Sequence, residues 1–242
     1  MNLEKIFDGL ERFATADDPT AVTRALERSA AELGFGSFIY ALRVPESLSD
    51  ARVLQVKGYP ESWLGRYWER DYHAIDPVIA HCTRSVLPVA WERLTPGMSA
   101  AGHRMMLEAG EFGLAHGAST GVHGPSGELG ILSFARDRGR SSLVEQRHTL
   151  RATQLLAPHV HEAVRRVFGL SAPTVQLRKR EEECLAWAAE GKTSWEISLL
   201  LEISERTVNF HLDNAVAKLG ASNRQHAIAR AIASRMLRPR PF

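Results

Sequence analysis

Residues 180–224 read REEECLAWAAEGKTSWEISLLLEISERTVNFHLDNAVAKLGASNR, and this stretch decides the architecture of the C-terminal part. It carries helical spacing and helix punctuation throughout. Leu185 and Ala188 fall on one side of a helix over Glu181–Glu190, which Gly191 stops. Thr193 and Glu196 stand three apart, the spacing of a capping box, and open a second helix through Leu201. Ser204 caps a third, in which Val208, Leu212, Ala215 and Leu219 line one side before Gly220 ends it. Ser222 and Gln225 repeat the capping spacing for a fourth helix through Ser234.

The second and third helices are separated only by Glu202-Ile203-Ser204, the connection expected of a helix-turn-helix. Opposite its apolar stripe the third helix carries Arg206, Asn209, Phe210 and Asp213. In a DNA major groove Asn suits adenine, Arg suits guanine and an Asp carboxylate accepts from cytosine. Thr193 and Ser204 sit at helix N-termini, where free N–H groups favour phosphate, and Lys192 adds a cation. Spacing alone equally allows a helical bundle with a solvated polar face.

Working outward, residues 169–175 combine Gly, Ser and Pro with weak periodicity and read as a linker. That leaves domains at 1–168 and 176–242. The first has helices expected from Leu3, from the Asp17-Asp18-Pro19 cap, over Glu61–Glu69, over Pro77–Thr83 with Asp76 as cap, and over Ala101–Glu111. Strands are expected at Phe38–Val44, Val53–Val56, Leu87–Trp91, Ala118–Val122 and Leu129–Ala135, the last two flanking a Gly-Pro-Ser-Gly turn. Ser142 and Glu145 have capping-box spacing at the head of a long helix to about Phe168. Helices before and after mostly antiparallel strands predict an α/β/α sandwich sensor domain, followed by an all-α four-helix domain.

Within the first domain, GYPESWLGRYWERDYHAIDPVIAHCTRSVLPVAW (58–91) is the informative stretch. Tyr59, Trp63 and Tyr67 recur every four residues, and Asp76 stands in an apolar setting upstream of Trp91. Such a stripe can be plain packing, and an Asp that caps a helix at Pro77 needs no ligand. It is also how a pocket would gather polar groups in apolar walls.

Composition narrows the classes. With 44% hydrophobic and 24% charged residues and a net charge of +2, the chain is ordinary globular protein. From Thr174 onward 11 Lys and Arg stand against 8 Asp and Glu, a mild basic surplus. Cys82 and Cys184 have neither a disulfide framework nor metal-ligand spacing, so no metal and no cofactor are expected. The N-terminus MNLEKIFDGLERF is amphipathic, unlike a signal peptide, which predicts a cytoplasmic protein without membrane attachment. No Gly-x-Ser-x-Gly, P-loop or His-Glu-x-x-His motif occurs. His81 and Cys82 are helix neighbours whose side chains diverge, so an enzyme is not expected.

The run 180–224 resembles the DNA-binding domain of LuxR-type transcriptional regulators. Glu181, Leu185, Trp187, Gly191, Lys192, Thr193, Glu196, Ile197, Thr207, Val208 and Lys218 fit that pattern. Thr207 thereby joins the expected DNA-binding residues. The stretch 58–91, with GLAHGASTGVHGPSGELGILSFA (113–135), resembles the ligand-binding core of acyl-homoserine-lactone receptors of the same family. A receiver domain of the two-component type is excluded, because its acidic strand end, Asp and Lys are missing.

The resemblance implies a ligand pocket built from Tyr59, Trp63, Tyr67, Asp76, Pro77, Val78, Trp91, Gly117 and Ser133. Asp76 would accept from the ligand amide N–H. Tyr59 and Ser133 would donate to the amide carbonyl, and Trp63 to the lactone carbonyl. Tyr67 and Trp91 would wall the head group. Leu64 and Val78 are apolar where 3-oxo-reading members can carry polar side chains. The implied ligand is therefore an N-acyl-homoserine lactone of medium to long chain, leaning towards one without a 3-oxo group. The resemblance further implies a quorum-sensing activator that works with RNA polymerase. One small module reads too few base pairs for a unique site, so a homodimer on a near-palindromic operator of double-stranded DNA is expected, through Leu143–Phe168 and Arg224–Ser234. The alternatives are a LuxR-type regulator that is ligand-independent or senses a non-lactone metabolite.

Overall fold

A computed structural model describes residues 3–47, 50–94, 97–125, 127–137, 143–170, 175–234 and 236–237. The chain forms two units, a mixed N-terminal one and a helical C-terminal one. Among the described residues no helix is long and apolar enough to cross a membrane.

In the N-terminal unit the strands are β1 (Ser37–Pro45), β2 (Ala51–Gly58), β3 (Val89–Ala90), β4 (His116–His123) and β5 (Leu129–Arg136), in the order β2-β1-β5-β4-β3. β5 runs antiparallel to both β1 and β4, and β4 to β3. Side chains alternate across a strand, so the register sorts them onto two faces. On one face Tyr40, paired with Leu132, points to α6 (Leu143–Val167), where its hydroxyl lies 2.7 Å from His161 Nδ1. On that side α6 packs with α1 (Leu3–Thr15) and α2 (Pro19–Glu32), and Arg12 grips Glu32 through two hydrogen bonds of 3.2 and 2.7 Å. Asp18 caps α2 by accepting from Ala21 N, as Asp17-Asp18-Pro19 led one to expect.

The opposite face carries Gly117, Ser119, Gly121 and Ser133 under α3 (Glu61–Glu69), α4 (Pro77–Arg84) and α5 (Ala100–Glu111). Two glycines let these layers close. A Cβ on Gly121 would lie 2.7 Å from Cys82 O of α4, and one on Gly117 would lie 2.5 Å from the Trp91 ring. The α/β/α sandwich is thus present.

One strand is shorter than expected. Over Leu87–Trp91 only Val89 and Ala90 pair, with Ser119 and Ala118, and Trp91 begins a 3-10 turn to Arg93. Pro88 has no N–H to give to a ladder, and the turn swings Trp91 onto Gly117. The capping box expected at Ser142 lies outside the described residues, as does most of the expected linker.

In the C-terminal unit α7 (Lys179–Ala189), α8 (Ser194–Leu201), α9 (Glu205–Lys218) and α10 (Arg224–Ala233) enclose Leu185, Ile197, Val208, Leu212, Ala215 and Ala231. Thr193 and Glu196 form the capping box, and Ser204 caps α9 by accepting from Thr207 N. Glu202 turns the chain between α8 and α9 in the left-handed region, at φ 55. The cap of α10 is Asn223, which accepts from His226 N, in place of the expected Ser222. Asn is as good a cap as Ser, so the one-residue shift costs nothing.

Candidate functional site

In the N-terminal unit the site begins with Asp76. Pro77 sets the φ of the first turn of α4, and Asp76 before it caps the helix: Oδ1 accepts from Val78 N at 2.7 Å. Oδ2 accepts the Tyr67 hydroxyl at 2.7 Å. Burial pushes the Asp76 carboxyl above the usual carboxylate range, and the Tyr67 and backbone hydrogen bonds partly offset this. Burial and the Asp76 charge likewise raise the phenols of Tyr59 and Tyr67, so both stay neutral donors. The Tyr59 hydroxyl is enclosed beside Ser133, and among the described residues no group meets it in full hydrogen-bond geometry.

Helical spacing brings Trp63 and Tyr67 one turn apart on α3, with ring centroids 6.0 Å apart. Trp63 also meets Phe112 at 5.4 Å and Tyr72 at 5.8 Å, and is buried with Val78, Cys82, Trp91, Met105, Ala109 and Leu114. Leu64 and Val78 are both buried apolar side chains. Burial pushes the Cys82 thiol up to about 12, so it is a packing group and not a nucleophile.

Of the expected pocket set, Trp63 and Tyr67 fall on α3, Pro77 and Val78 on α4 with Asp76 as its cap, Gly117 on β4, Ser133 on β5, Trp91 at the turn after β3, and Tyr59 on the connection between β2 and α3. Two features escaped the sequence reading. Ser119 lies directly opposite Ser133 in the β4–β5 register, accepts from Trp91 Nε1 at 2.8 Å and is 2.7 Å from Ser133 Oγ. The signal was available in strand alternation from Gly117. Tyr72 donates to Glu108 on α5, and Arg66 of α3 donates to the other Glu108 oxygen at 2.7 Å. That clamp joins residues 36 and 42 positions apart, which no local pattern announces.

In the C-terminal unit α9 exposes Arg206, Asn209, Phe210 and Asp213 on one side, and Phe210 is 60% exposed. The Arg206 and Asp213 side chains have no hydrogen-bond or ion-pair partner among the described residues. Asn209 Oδ1 accepts from Ser194 Oγ at 2.7 Å, which fixes the amide and points its N–H₂ as the free end. Ser204 and Thr207 share a hydrogen bond of 2.7 Å at the N-terminus of α9. Lys192 pairs with Glu196 at 3.7 Å, and Thr193 donates to the same carboxylate. Glu181 is buried. Burial raises its carboxyl, but Lys218 at 2.6 Å and Arg178 N at 2.7 Å more than offset this, and it ends below the usual range.

Residues 18–164 match the family described as autoinducer binding domain, and residues 175–231 that described as bacterial regulatory proteins, luxR family. The transcriptional activator protein AhyR of Aeromonas hydrophila is 34% identical over 99% of this chain and 94% of its own. RpaR of Rhodopseudomonas palustris, a quorum sensing-dependent transcriptional regulator, is 34% identical over 96% of this chain and 93% of its own. Among solved structures, Escherichia coli SdiA is 29% identical with a TM-score of 0.82, covering 98% of this chain and 99% of that one. SdiA in complex with octanoyl-rac-glycerol superposes with a TM-score of 0.83, covering 99% and 98%. With an autoinducer-binding domain ahead of a helix-turn-helix, the chain belongs to the LuxR family of bacterial transcriptional regulators, which are not enzymes.

Proposed function

We propose that this regulator is a cytoplasmic receptor for an N-acyl-homoserine lactone that, as a homodimer, binds a near-palindromic operator and activates transcription with RNA polymerase. The observation that carries the ligand reading is the enclosed Tyr59 hydroxyl, unsatisfied beside Ser133 and facing the Asp76–Tyr67 pair. A buried polar group without a partner costs about 1–3 kcal/mol. A secondary amide cancels that cost from both sides. Its carbonyl takes the Tyr59 and Ser133 protons, and its N–H goes to the raised carboxylate of Asp76. Trp63 is left for the lactone carbonyl, with Tyr67, Trp91 and Val78 as walls and Gly117 making room for Trp91.

Leu64 and Val78 favour an acyl chain of medium to long length without a 3-oxo group. On the DNA side Arg206, Asn209 and Asp213 read base edges, with Phe210 beside them. Lys192, Thr193, Ser204 and Thr207 hold phosphate. Residues 169–175 serve as the linker between the domains 1–168 and 176–242.

A second reading has a specific observation behind it. SdiA is solved with octanoyl-rac-glycerol, an acyl ester without an amide. A glycerol hydroxyl would donate to Asp76 in place of the amide N–H, and the ester carbonyl would take the Tyr59 proton. The test is calorimetry of the purified regulator with N-octanoyl-homoserine lactone and with octanoyl glycerol, alongside mass spectrometry of copurified small molecules. Tighter binding of the lactone supports the first reading. Binding of the glycerol ester alone overturns it in favour of the second.

A further inference from the structure

Trp91, Ser119 and Ser133 form a line of polar atoms through the buried floor of the pocket. Trp91 Nε1 is 2.8 Å from Ser119 Oγ, and Ser119 Oγ is 2.7 Å from Ser133 Oγ. Ser119 is 0% exposed and Ser133 4%. An indole N–H can only donate, and each hydroxyl has a single proton. Ser119 therefore accepts from Trp91, and its own proton needs an acceptor. Ser133 Oγ is the acceptor within reach, since Ser119 makes no other side-chain hydrogen bond among the described residues. If Ser133 gave its proton back to Ser119, the Ser119 proton would be stranded in a dry site.

We infer that Ser119 and Trp91 are positioning residues for the ligand: the line runs Trp91 N–H to Ser119, Ser119 O–H to Ser133, and so holds the Ser133 proton pointing into the pocket as a donor. This rests on the proposed reading in which Ser133 faces a ligand carbonyl. Ser119 touches no ligand itself. Its work is to remove the option of a Ser133 hydroxyl turned the other way. Gly117 belongs to the same device, because a Cβ there would lie 2.5 Å from the Trp91 ring and lift the N–H off Ser119. The line also fixes which chemistry the floor accepts. It offers a donor, so a ligand with a carbonyl at this point is favoured over one that presents only a donor there.

The experiment is a double-mutant cycle on the full chain, with N-octanoyl- and N-dodecanoyl-homoserine lactone as probes and thermal melting of the unliganded protein recorded in parallel. Ser119→Ala is expected to weaken binding about fivefold to tenfold. Trp91→Phe keeps an aromatic ring and both hydroxyls while removing the N–H, and is expected to weaken binding by at least a similar factor, which secures the test should Ser119→Ala fold poorly. The double variant Ser119→Ala with Ser133→Ala should bind no more weakly than Ser133→Ala alone, because a positioning residue has nothing left to position. A merely structural role would add its loss in full to that of Ser133→Ala, and that additivity would overturn the inference, as would unchanged binding by both Ser119→Ala and Trp91→Phe. Wild-type protein that binds neither lactone, or a Ser133→Ala variant that binds as well as wild type, would overturn the underlying ligand reading and the inference with it.

Discussion

Tyr67 donates to Asp76 Oδ2 at 2.7 Å, across nine residues of sequence, and so locks α3 to the cap of α4. The same carboxylate does three things: it caps α4, it holds Tyr67, and it is the acceptor assigned to the ligand amide. Asp76→Asn keeps the shape and surrenders the charge. Loss of a charge-assisted hydrogen bond should weaken ligand response by about 1.5–3 kcal/mol, a factor of about ten to a hundred. A reporter dose–response curve measures it, and an unchanged midpoint removes Asp76 from the site.

The pH dependence follows from the same group. Burial holds the Asp76 carboxyl above its ordinary value, so in the unliganded protein its contribution to stability is favourable below that value and is lost as pH rises through the raised one. In the proposed site the ligand amide donates to the ionised form, so affinity should fall as pH is lowered into the window just above the ordinary carboxylate value. The Tyr67 hydrogen bond lowers the carboxyl, and Tyr67→Phe should therefore move that fall to higher pH. Binding titrations across the acid range on both proteins give the comparison. Superimposable profiles would show that Tyr67 does not tune Asp76.

Leu64 and Val78 are 7% and 6% exposed, and neither can donate to a 3-oxo oxygen. Burying that oxygen without a partner costs about 1–3 kcal/mol. An unsubstituted acyl-homoserine lactone should activate at least as well as its 3-oxo counterpart of equal length in one reporter strain. A tenfold preference for the 3-oxo form would mean that a backbone group or water supplies the contact.

What was legible in the sequence was whatever chemistry is local. Asp76-Pro77, Asp18-Pro19 and Thr193 with Glu196 are caps, and a cap is written within four residues of its helix. The pair Trp63 and Tyr67 was visible because α3 carries it at helical spacing, with Tyr59 four residues earlier on the connection that leads into the helix. The partners supplied by other elements were not visible: Ser119 for Trp91, Glu108 for Tyr72 and Arg66, and Ser194 for Asn209. Each depends on register or packing between distant segments. Trp91 itself misled, because Leu87–Trp91 reads as one strand while the chain leaves the sheet after Ala90 and the ring packs into the space that Gly117 leaves.

The ion pair of buried Glu181 with partly exposed Lys218 ties α7 to α9 at 2.6 Å. Burial pushes Glu181 up and its partners pull it further down, to a net value below the ordinary one. Its contribution to stability is thus present above the ordinary carboxylate value and lost as pH falls through the lowered one. Glu181→Gln should destabilise the C-terminal domain by about 1–3 kcal/mol at neutral pH and flatten its acid unfolding. Denaturant melts at neutral and acid pH read both effects, and a variant as stable as wild type at neutral pH would show that the pair contributes nothing net.

The last prediction separates two roles on the DNA face. Asn209 is exposed on α9, and Ser194 donates to its amide oxygen, which leaves the N–H₂ end for the proposed base contact. Lys192 precedes α8 and, among the described residues, its side chain pairs with the half-exposed carboxylate of Glu196 at 3.7 Å, a pairing that phosphate can replace at little cost. Asn209→Ala should cost about 1–3 kcal/mol on the cognate operator and relax preference at one base position in each half-site. Lys192→Ala should weaken binding to all sequences alike and reduce the salt slope by about one per subunit. Neither side chain belongs to the buried set around Leu185 and Val208, so both variants should melt near wild type. The measurement is a salt titration of each purified variant on operator and scrambled DNA. Equal loss by Asn209→Ala on both DNAs would make Asn209 a backbone contact. The reading face of α9 would then have to be rotated towards Arg206 and Asp213.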